Sequence, residues 1–329
     1  MSQGSRWLEQ LWYEKDRPYW YLLPLAWLYA ALTGIRRGLF RIGLMKQYRH
    51  AVPVIVVGNI SIGGTGKTPF TLKLCHMLRQ QGWRPGIVSR GYGADIRQPT
   101  LVNVNSPAGQ VGDEPLLLAQ RSGAPVVVCP DRVAAVQYLL QHTQCDIVIS
   151  DDGLQHYRLA RDVEIVLIDG SRGFGNGQLL PAGPLREGIW RLKLVDLVVA
   201  NTQLDVLADG LMQLTPAAPV ALVGDACLAQ GTEVTLVAGI GNPARFERTV
   251  LEAGFNISAT RFFSDHHQFT EADLADIPGP LLMTEKDAVK CRNFAKPNWF
   301  SLGVDAKLDS ALTTKLHLIL TKLRSRNGT

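Results

Sequence analysis

Lys67 and Thr68 close a glycine-rich run, Gly58-Asn59-Ile60-Ser61-Ile62-Gly63-Gly64-Thr65-Gly66-Lys67-Thr68, that follows directly on the apolar stretch Val54-Ile55-Val56-Val57. A loop of this kind between a strand and a helix holds nucleotide phosphates. Its backbone N–H groups converge on phosphate oxygens at a helix N-terminus, the lysine takes the β/γ charge, and the hydroxyl ligates Mg²⁺. The expected cradle is therefore Ser61, Ile62, Gly63, Gly64, Thr65, Gly66, Lys67 and Thr68, with the glycines allowing close backbone approach. Ser61 departs from the usual G-x-x-x-x-G-K-[ST] spacing, standing where glycine is usual, and serine fits there provided its φ is negative. Acidic partners for the metal are expected at the end of another buried strand, and Asp151-Asp152 follow Asp146-Ile147-Val148-Ile149-Ser150. Two adjacent carboxylates can share the ion and its waters. His156, just beyond, fits a site residue and a hydrogen-bonded structural histidine equally.

The elements that must position these groups read as α/β. A helix is expected from Thr68 to about Gln81, and further strands at 86–89, 125–129, 146–150, 163–168 and 194–200. Several are apolar almost throughout, as strands buried on both faces of a parallel sheet should be, and ligands bind at the C-terminal ends of such strands. Between Asp205 and Thr232 the sequence is less regular, punctuated by Pro216, Pro219 and Gly231. The expected organisation is an N-terminal segment over 1–50 that belongs to the first domain, a P-loop core over 51–215, and a smaller C-terminal α/β domain over 216–329. In that last part, strands are expected at 234–238, near 260–263 and at 281–284, and a helix from Pro243 to Ala253, with a solvated tail after Arg324.

Tyr19 to Leu32 is apolar and aromatic, bracketed by Lys15 and Arg17 before it and by Arg36, Arg37, Arg41, Lys46 and Arg49 after it. The run falls short of the ~20 residues that cross a bilayer, and no small-residue cleavage site follows it. The pattern suits an amphipathic helix lying in a membrane interface; a helix buried against the domain is the alternative. The net charge of +5 suits an anionic ligand or surface and is mild for nucleic acid, so no nucleic-acid partner is expected. Five cysteines without a Cys-x-x-Cys pair suggest neither a zinc site nor a disulfide framework.

Six segments in one order resemble the tetraacyldisaccharide 4′-kinases of lipid A synthesis. They are the glycine-rich run through Pro69, Ser89-Arg90-Gly91-Tyr92-Gly93, Gly112-Asp113-Glu114-Pro115, Asp151-Asp152-Gly153-Leu154-Gln155-His156, Pro181-Ala182-Gly183-Pro184-Leu185-Arg186-Glu187 and Met283-Thr284-Glu285-Lys286-Asp287-Ala288-Val289-Lys290. The resemblance includes the Ser61 form of the loop. It implies transfer of the ATP γ-phosphoryl group, with Mg²⁺, to the 4′-hydroxyl of a tetraacylated glucosamine disaccharide 1-phosphate, giving lipid IVA. It also implies a peripheral enzyme at the cytoplasmic face of the bacterial inner membrane, and so favours the membrane-surface reading of the N-terminal helix; a monomer is expected.

The resemblance further lifts Asp113 to candidate base, assisted by a histidine of the second domain, for which His266 in Ser264-Asp265-His266-His267 is chosen. Without it, Asp113 reads equally as a helix cap and His266 as a loop residue. Arg132, after a buried strand, is a candidate fixed cation for the transferring phosphate, or else a surface ion pair. Glu187 is expected to complete the Mg²⁺ environment or to shape its loop. Arg90, Gly91, Tyr92, His156, Arg172 and Asn176 are assigned to the acceptor, and residues 284–287 to the nucleotide side or domain closure. A nucleotide switch without an acceptor is the rival reading. Against it, Ile62 stands where partitioning ATPases carry a further lysine, and Asn201-Thr202-Gln203-Leu204-Asp205 lacks the lysine of a guanine-reading motif.

Overall fold

The computed structural model describes residues 10–14, 19–202 and 207–327. Lys15 and Arg17 of the expected basic flank, and Asp205 at the start of the less regular stretch, lie outside the described residues.

After a helical turn at Gln10–Glu14, helix α1 runs over Leu23–Arg41. There follow β1 (Val54–Gly58), α2 (Lys67–Gln80), β2 (Pro85–Ser89), β3 (Thr100–Leu101), α3 (Ala108–Val111), α4 (Asp113–Ser122), β4 (Val126–Val128), α5 (Arg132–His142), β5 (Ile147–Asp151), β6 (Val163–Asp169), β7 (Leu197–Asn201), β8 (Gly210–Pro216) and β9 (Val220–Ala221). The chain continues through β10 (Glu233–Ala238), α6 (Pro243–Glu252), β11 (Asn256–Phe262), α7 (Glu271–Leu274), β12 (Leu281–Thr284), α8 (Glu285–Cys291), β13 (Trp299–Leu302), β14 (Val304–Leu308) and α9 (Ser310–Asn327).

Nine strands form the larger sheet in the order β14-β8-β7-β6-β1-β5-β2-β4-β3. It is parallel except at its rims, where β3 and β14 pair antiparallel. Both faces are covered, so the inner strands read as continuous apolar runs. Along β1, Ile55 and Val57 join the core formed with Phe70, Leu74 and Leu78 of α2, while Val54 and Val56 join the core formed with Val136 and Leu139 of α5. The strand Leu197–Asn201 starts later than expected because Ile189–Leu194 coils into a 3₁₀ turn before it.

The second sheet has five strands in the order β11-β10-β12-β13-β9, with only β9 antiparallel. Its faces pack on Phe246 and Val250 of α6 and on Ala288 and Cys291 of α8. The sheets correct the expected C-terminal boundary. Residues 304–327 do not stay with the second sheet: β14 returns to pair with β8, Ala306 opposite Leu214, and α9 seals the first core. Leu312, Leu316, Leu320 and Leu323 form one buried stripe there, so what was expected to be a tail from 325 onward is helical through Asn327.

Helix α1 buries only Ala26 and Phe40. Tyr21, Leu25, Leu28, Leu32 and Ile35, spaced alternately four and three residues apart, form one exposed apolar stripe flanked by exposed Trp20 and Trp27. Among the described residues, no helix is long and apolar enough to cross a membrane.

Candidate active site

The C-terminal ends of β1, β5, β6 and β7 meet at the glycine-rich loop. Ser61 adopts no positive φ, so the serine is accommodated without strain. The chain at 184–187 pins the loop from outside: Ile62 N–H donates to Pro184 O (2.9 Å) and Arg186 N–H to Ile60 O (2.6 Å). Gly66 has φ 86°, and a Cβ there would lie 2.9 Å from both Asn201 Nδ2 and Met212 Cε, so only glycine fits. Among the described residues, the N–H groups from Gly63 to Thr68 donate to no protein acceptor. The buried Asn59 Oδ1, Thr65 Oγ1 and Asn201 Oδ1 likewise have no hydrogen-bond partner. Unsatisfied groups gathered at one helix N-terminus fit an anionic ligand with polar edges.

Lys67 Nζ lies 3.5 Å from Asp152 Oδ1, which also accepts from Arg186 (3.4 Å). Burial would raise the Asp152 pKa, but Lys67, Arg186 and Arg132 outweigh it and hold the carboxyl below its usual value. Asp151 is fully buried and accepts long hydrogen bonds from Thr71 (3.3 Å) and Ser89 (3.4 Å). Burial, with Glu114 and Asp152 nearby, pushes it up to about 7, and a dication beside it would reverse that shift. Arg132 is buried, donating to Cys129 O (2.9 Å) and Asp151 O (3.4 Å); burial pushes its pKa down to about 10, so it remains cationic at neutral pH. This places Arg132 beneath the acidic pair and excludes the surface ion pair.

Asp113 opens α4, and His266 lies in the loop after β11 on the second sheet. The structure brings them together across 153 residues of sequence, with His266 Nδ1 3.1 Å from Asp113 Oδ2. Burial alone would raise Asp113, but the His266 hydrogen bond and the Lys286 charge outweigh it and hold it at about 2. The same hydrogen bond raises His266 above its ordinary value against the effect of burial. Tyr92 lies with its ring 5.3 Å from the imidazole, and Gly93, Gly112, Gln268 and Lys290 complete an open pocket around the pair. Gly91 beside them has φ 71°, and a Cβ would meet Ile96 Cδ1 at 2.1 Å. Among the described residues, Asp152, Thr202 and His266 are the non-glycine residues with positive φ. Two of them thus carry the ionisable groups of this region, and such conformations persist where surrounding contacts over-determine them.

Among the described residues no three His, Cys, Asp or Glu side chains form a ready-made metal cage. Glu187, expected to complete the Mg²⁺ environment or to shape its loop, is engaged by its neighbours beside the glycine-rich loop: its oxygens accept from Gln155 (2.9 Å) and Tyr157 (2.6 Å), and Arg191 Nε pairs with it at 3.2 Å. Asn176 is also internal, donating to Ala182 O (2.9 Å) and accepting from Gln178 N–H (3.1 Å), while its own N–H reaches Trp12 O. Arg172 stands over the Tyr13 ring beside Ser61 to Thr65, away from the Asp113 pocket. His156 has its Nε2 3.8 Å from Asp131 and is held neutral, pushed down to about 4 by burial and by Arg132. Arg90 is exposed at the end of β2.

Several contacts went unread. Asn201 Nδ2 donates to Thr65 O (3.4 Å) and Asp169 ends β6 beside the loop; both sit at C-terminal strand ends, the rule that located Asp151. Lys286 pairs with Glu114 at 2.5 Å, and Arg121 joins Glu285 (2.9 Å) to Asp305 (2.5 Å), so α8 is bolted to α4 next to Asp113.

The family model described as tetraacyldisaccharide-1-P 4′-kinase matches residues 18–321. A tetraacyldisaccharide 4′-kinase of Shewanella sediminis is 50% identical, covering 92% of this chain and 90% of that one. The corresponding protein of Shewanella oneidensis is 47% identical over 97% and 95%. The solved structure of LpxK from Aquifex aeolicus in complex with ATP superposes with a TM-score of 0.77 at 26% identity, covering 92% and 98%. The chain belongs to the tetraacyldisaccharide-1-P 4′-kinase family.

Proposed function

We propose that the chain transfers the γ-phosphoryl group of ATP to the 4′-hydroxyl of a tetraacylated glucosamine disaccharide 1-phosphate. The observation that carries this reading is the Asp113–His266 pair, made across the two sheets in an open pocket. Glu114, next to Asp113, is near enough to the buried Asp151 to raise its pKa, which brings donor and acceptor sides together. Phosphoryl transfer needs positioning, a fixed positive environment and an acceptor for the hydroxyl proton.

Lys67 takes the charge of the β and γ phosphates, its ammonium fixed by Asp152, which Arg186 holds in turn, and Arg132 adds a buried cation. Thr68 and Asp151 would hold Mg²⁺, an ion that keeps most of its ligands as water and phosphate oxygen and so needs no carboxylate cage. When bound, the ion offsets charge on the phosphate oxygens. Asp113 takes the proton of the 4′-hydroxyl, and His266 shares the charge through Nδ1. The experiment that tests this assignment is an acceptor with hydrogen in place of the 4′-hydroxyl: it should bind without being phosphorylated, and phosphorylation of it would refute the reading.

A pH prediction follows from the pair. At low pH the raised His266 holds a proton, and the Asp113 carboxylate already spends its basicity on that imidazolium. The rate should rise with pH as His266 loses its proton, with a midpoint above the ordinary ~6.5. A kcat/KM profile would show the limb, and His266→Gln should abolish it. The stability contribution has the opposite sense. A raised histidine adds stability that is full below about 6.5 and disappears as pH rises through its folded pKa.

We propose further that α1 lies in an anionic membrane interface, its stripe from Tyr21 to Ile35 toward the acyl chains and Arg36, Arg41 and Lys46 toward the headgroups. An acylated sugar stays in the bilayer, so the enzyme must come to it. Leu28→Glu with Leu32→Glu should lower partition into phosphatidylglycerol vesicles at least about tenfold, since each leucine buried from water contributes ~1.5–3 kcal/mol. Sedimentation with vesicles measures this, and unchanged partition would remove the membrane proposal.

A further inference from the structure

Arg245 belongs to the second sheet's unit and touches the first. It lies in the opening turn of α6, which is capped by Asn242 Oδ1 accepting from the Arg245 N–H (3.2 Å). Its guanidinium crosses to the glycine-rich loop, 3.5 Å from Gly64 O and 3.6 Å from Asp169 Oδ2. Both contacts are longer than the about 2.7–2.9 Å of a settled charge-assisted hydrogen bond. The side chain keeps 32% of its exposure, while that of Asp169 keeps 9%. Asp169 is a fixed carboxylate: its Oδ1 accepts from the Ser171 N–H (3.1 Å) and hydroxyl (2.6 Å), leaving Oδ2 toward Arg245. A loosely held cation thus rests on a firmly held anion, at the edge of a loop whose N–H groups have no protein acceptor.

We infer that Arg245 leaves Gly64 and Asp169 for the phosphate chain of a nucleotide bound in that loop, so that the second unit supplies a cation to the donor site. The inference rests on reading the loop as the ATP site. A phosphate offers two or more acceptor oxygens to the guanidinium fork, a stronger partner than a carbonyl at 3.5 Å. The location also gives the movement a consequence. Gly239 to Asn242 join β10 to α6, and in that link Gly239 O accepts from the His266 N–H (3.2 Å) while Gly239 N–H donates to the buried Asp287 (3.0 Å). Arg245 and His266 therefore hang from one short link. Capture of the phosphates by Arg245 draws on the same backbone that seats His266 against Asp113, and nucleotide occupancy helps to set the acceptor base. Asp169 holds the cation in the absence of nucleotide.

The test is calorimetric titration of the intact chain with ATP, without acceptor, for the native protein and for Arg245→Ala, Arg245→Lys, Asp169→Asn and Lys67→Ala. Arg245→Ala should raise Kd about tenfold, the size of one lost charge-assisted contact. Arg245→Lys, which keeps the charge, should recover part of the loss, and Asp169→Asn should bind ATP at least as tightly as the native chain. Arg245→Ala within twofold of native, alongside a clear loss in Lys67→Ala, would overturn the role of Arg245 and leave the loop reading standing. Equal weakening by Arg245→Ala and Asp169→Asn would overturn it too, by assigning the pair to joining the two units. Absence of ATP binding by the native chain would sink the loop reading and this inference with it.

Discussion

Asp113→Asn is expected to lower kcat about 10²- to 10⁴-fold, the range typical of a lost general base, while the KM for ATP stays within about twofold. Asparagine keeps the size of the side chain and an oxygen that can still accept from His266 Nδ1, so the pocket retains its packing. What goes is the negative charge that takes the hydroxyl proton. The charge also raises His266, so the imidazole pKa should fall back toward its ordinary value in the variant, a shift that histidine NMR can follow. Nucleotide binding should survive because Lys67 and Thr68 open α2 and Asp151 ends β5, whereas Asp113 opens α4. A variant with native kcat and weakened ATP binding would move Asp113 to the donor side.

Lys67→Ala is expected to cost about 10²–10³ in kcat and to weaken ATP binding as well, as loss of a preorganised cation aimed at developing phosphate charge does. The side chain retains 14% exposure and sits 3.5 Å from Asp152, so solvent cannot replace its ammonium cheaply. Two charges are disturbed by the one change. The phosphates lose their cation, and Asp152 keeps Arg186 as its remaining side-chain partner, which should raise its pKa. Arginine should rescue poorly, because a planar fork does not fit where a compact ammonium sits. Single-turnover measurements at saturating ATP separate the two effects; native rates at saturating ATP would limit Lys67 to binding.

Parts of this arrangement were legible because their causes are local. The nucleotide loop is contiguous, and its buried strand and following helix are written beside it from Val54 to Gln80. Asp151 was legible through the apolar run that precedes it. Asp113 and His266 are another matter: each looks ordinary where it stands, and only the family resemblance joined them before the fold did. Glu187 was readable only as two alternatives, a metal environment or a loop brace. Its contacts with Gln155, Tyr157 and Arg191 come from other loops, which no spacing rule shows. The hydrogen bonds of Asn176 to Trp12 and Ala182 were illegible for the same reason. The return of β14 and α9 to the first sheet was readable in principle, since Leu312, Leu316, Leu320 and Leu323 make a helical stripe. What that stripe cannot announce is which of two sheets it will cover.

On the proposed reading, the activity needs both units. The donor loop and its acids lie on the first sheet, the histidine on the second, and Lys286–Glu114 and Arg121–Glu285 fasten the two beside the pair. With the acceptor base built from both sides, water is expected on that reading to enter an incomplete site when they part, and transfer to lipid to be favoured over hydrolysis when they meet.

The most direct test is the fate of labelled phosphate. Incubated with γ-labelled ATP and Mg²⁺, the chain should place label in the lipid fraction when the acylated disaccharide 1-phosphate is present and release little free phosphate when it is absent. Free phosphate released at the same rate with and without the disaccharide, and no label in lipid, would contradict the account.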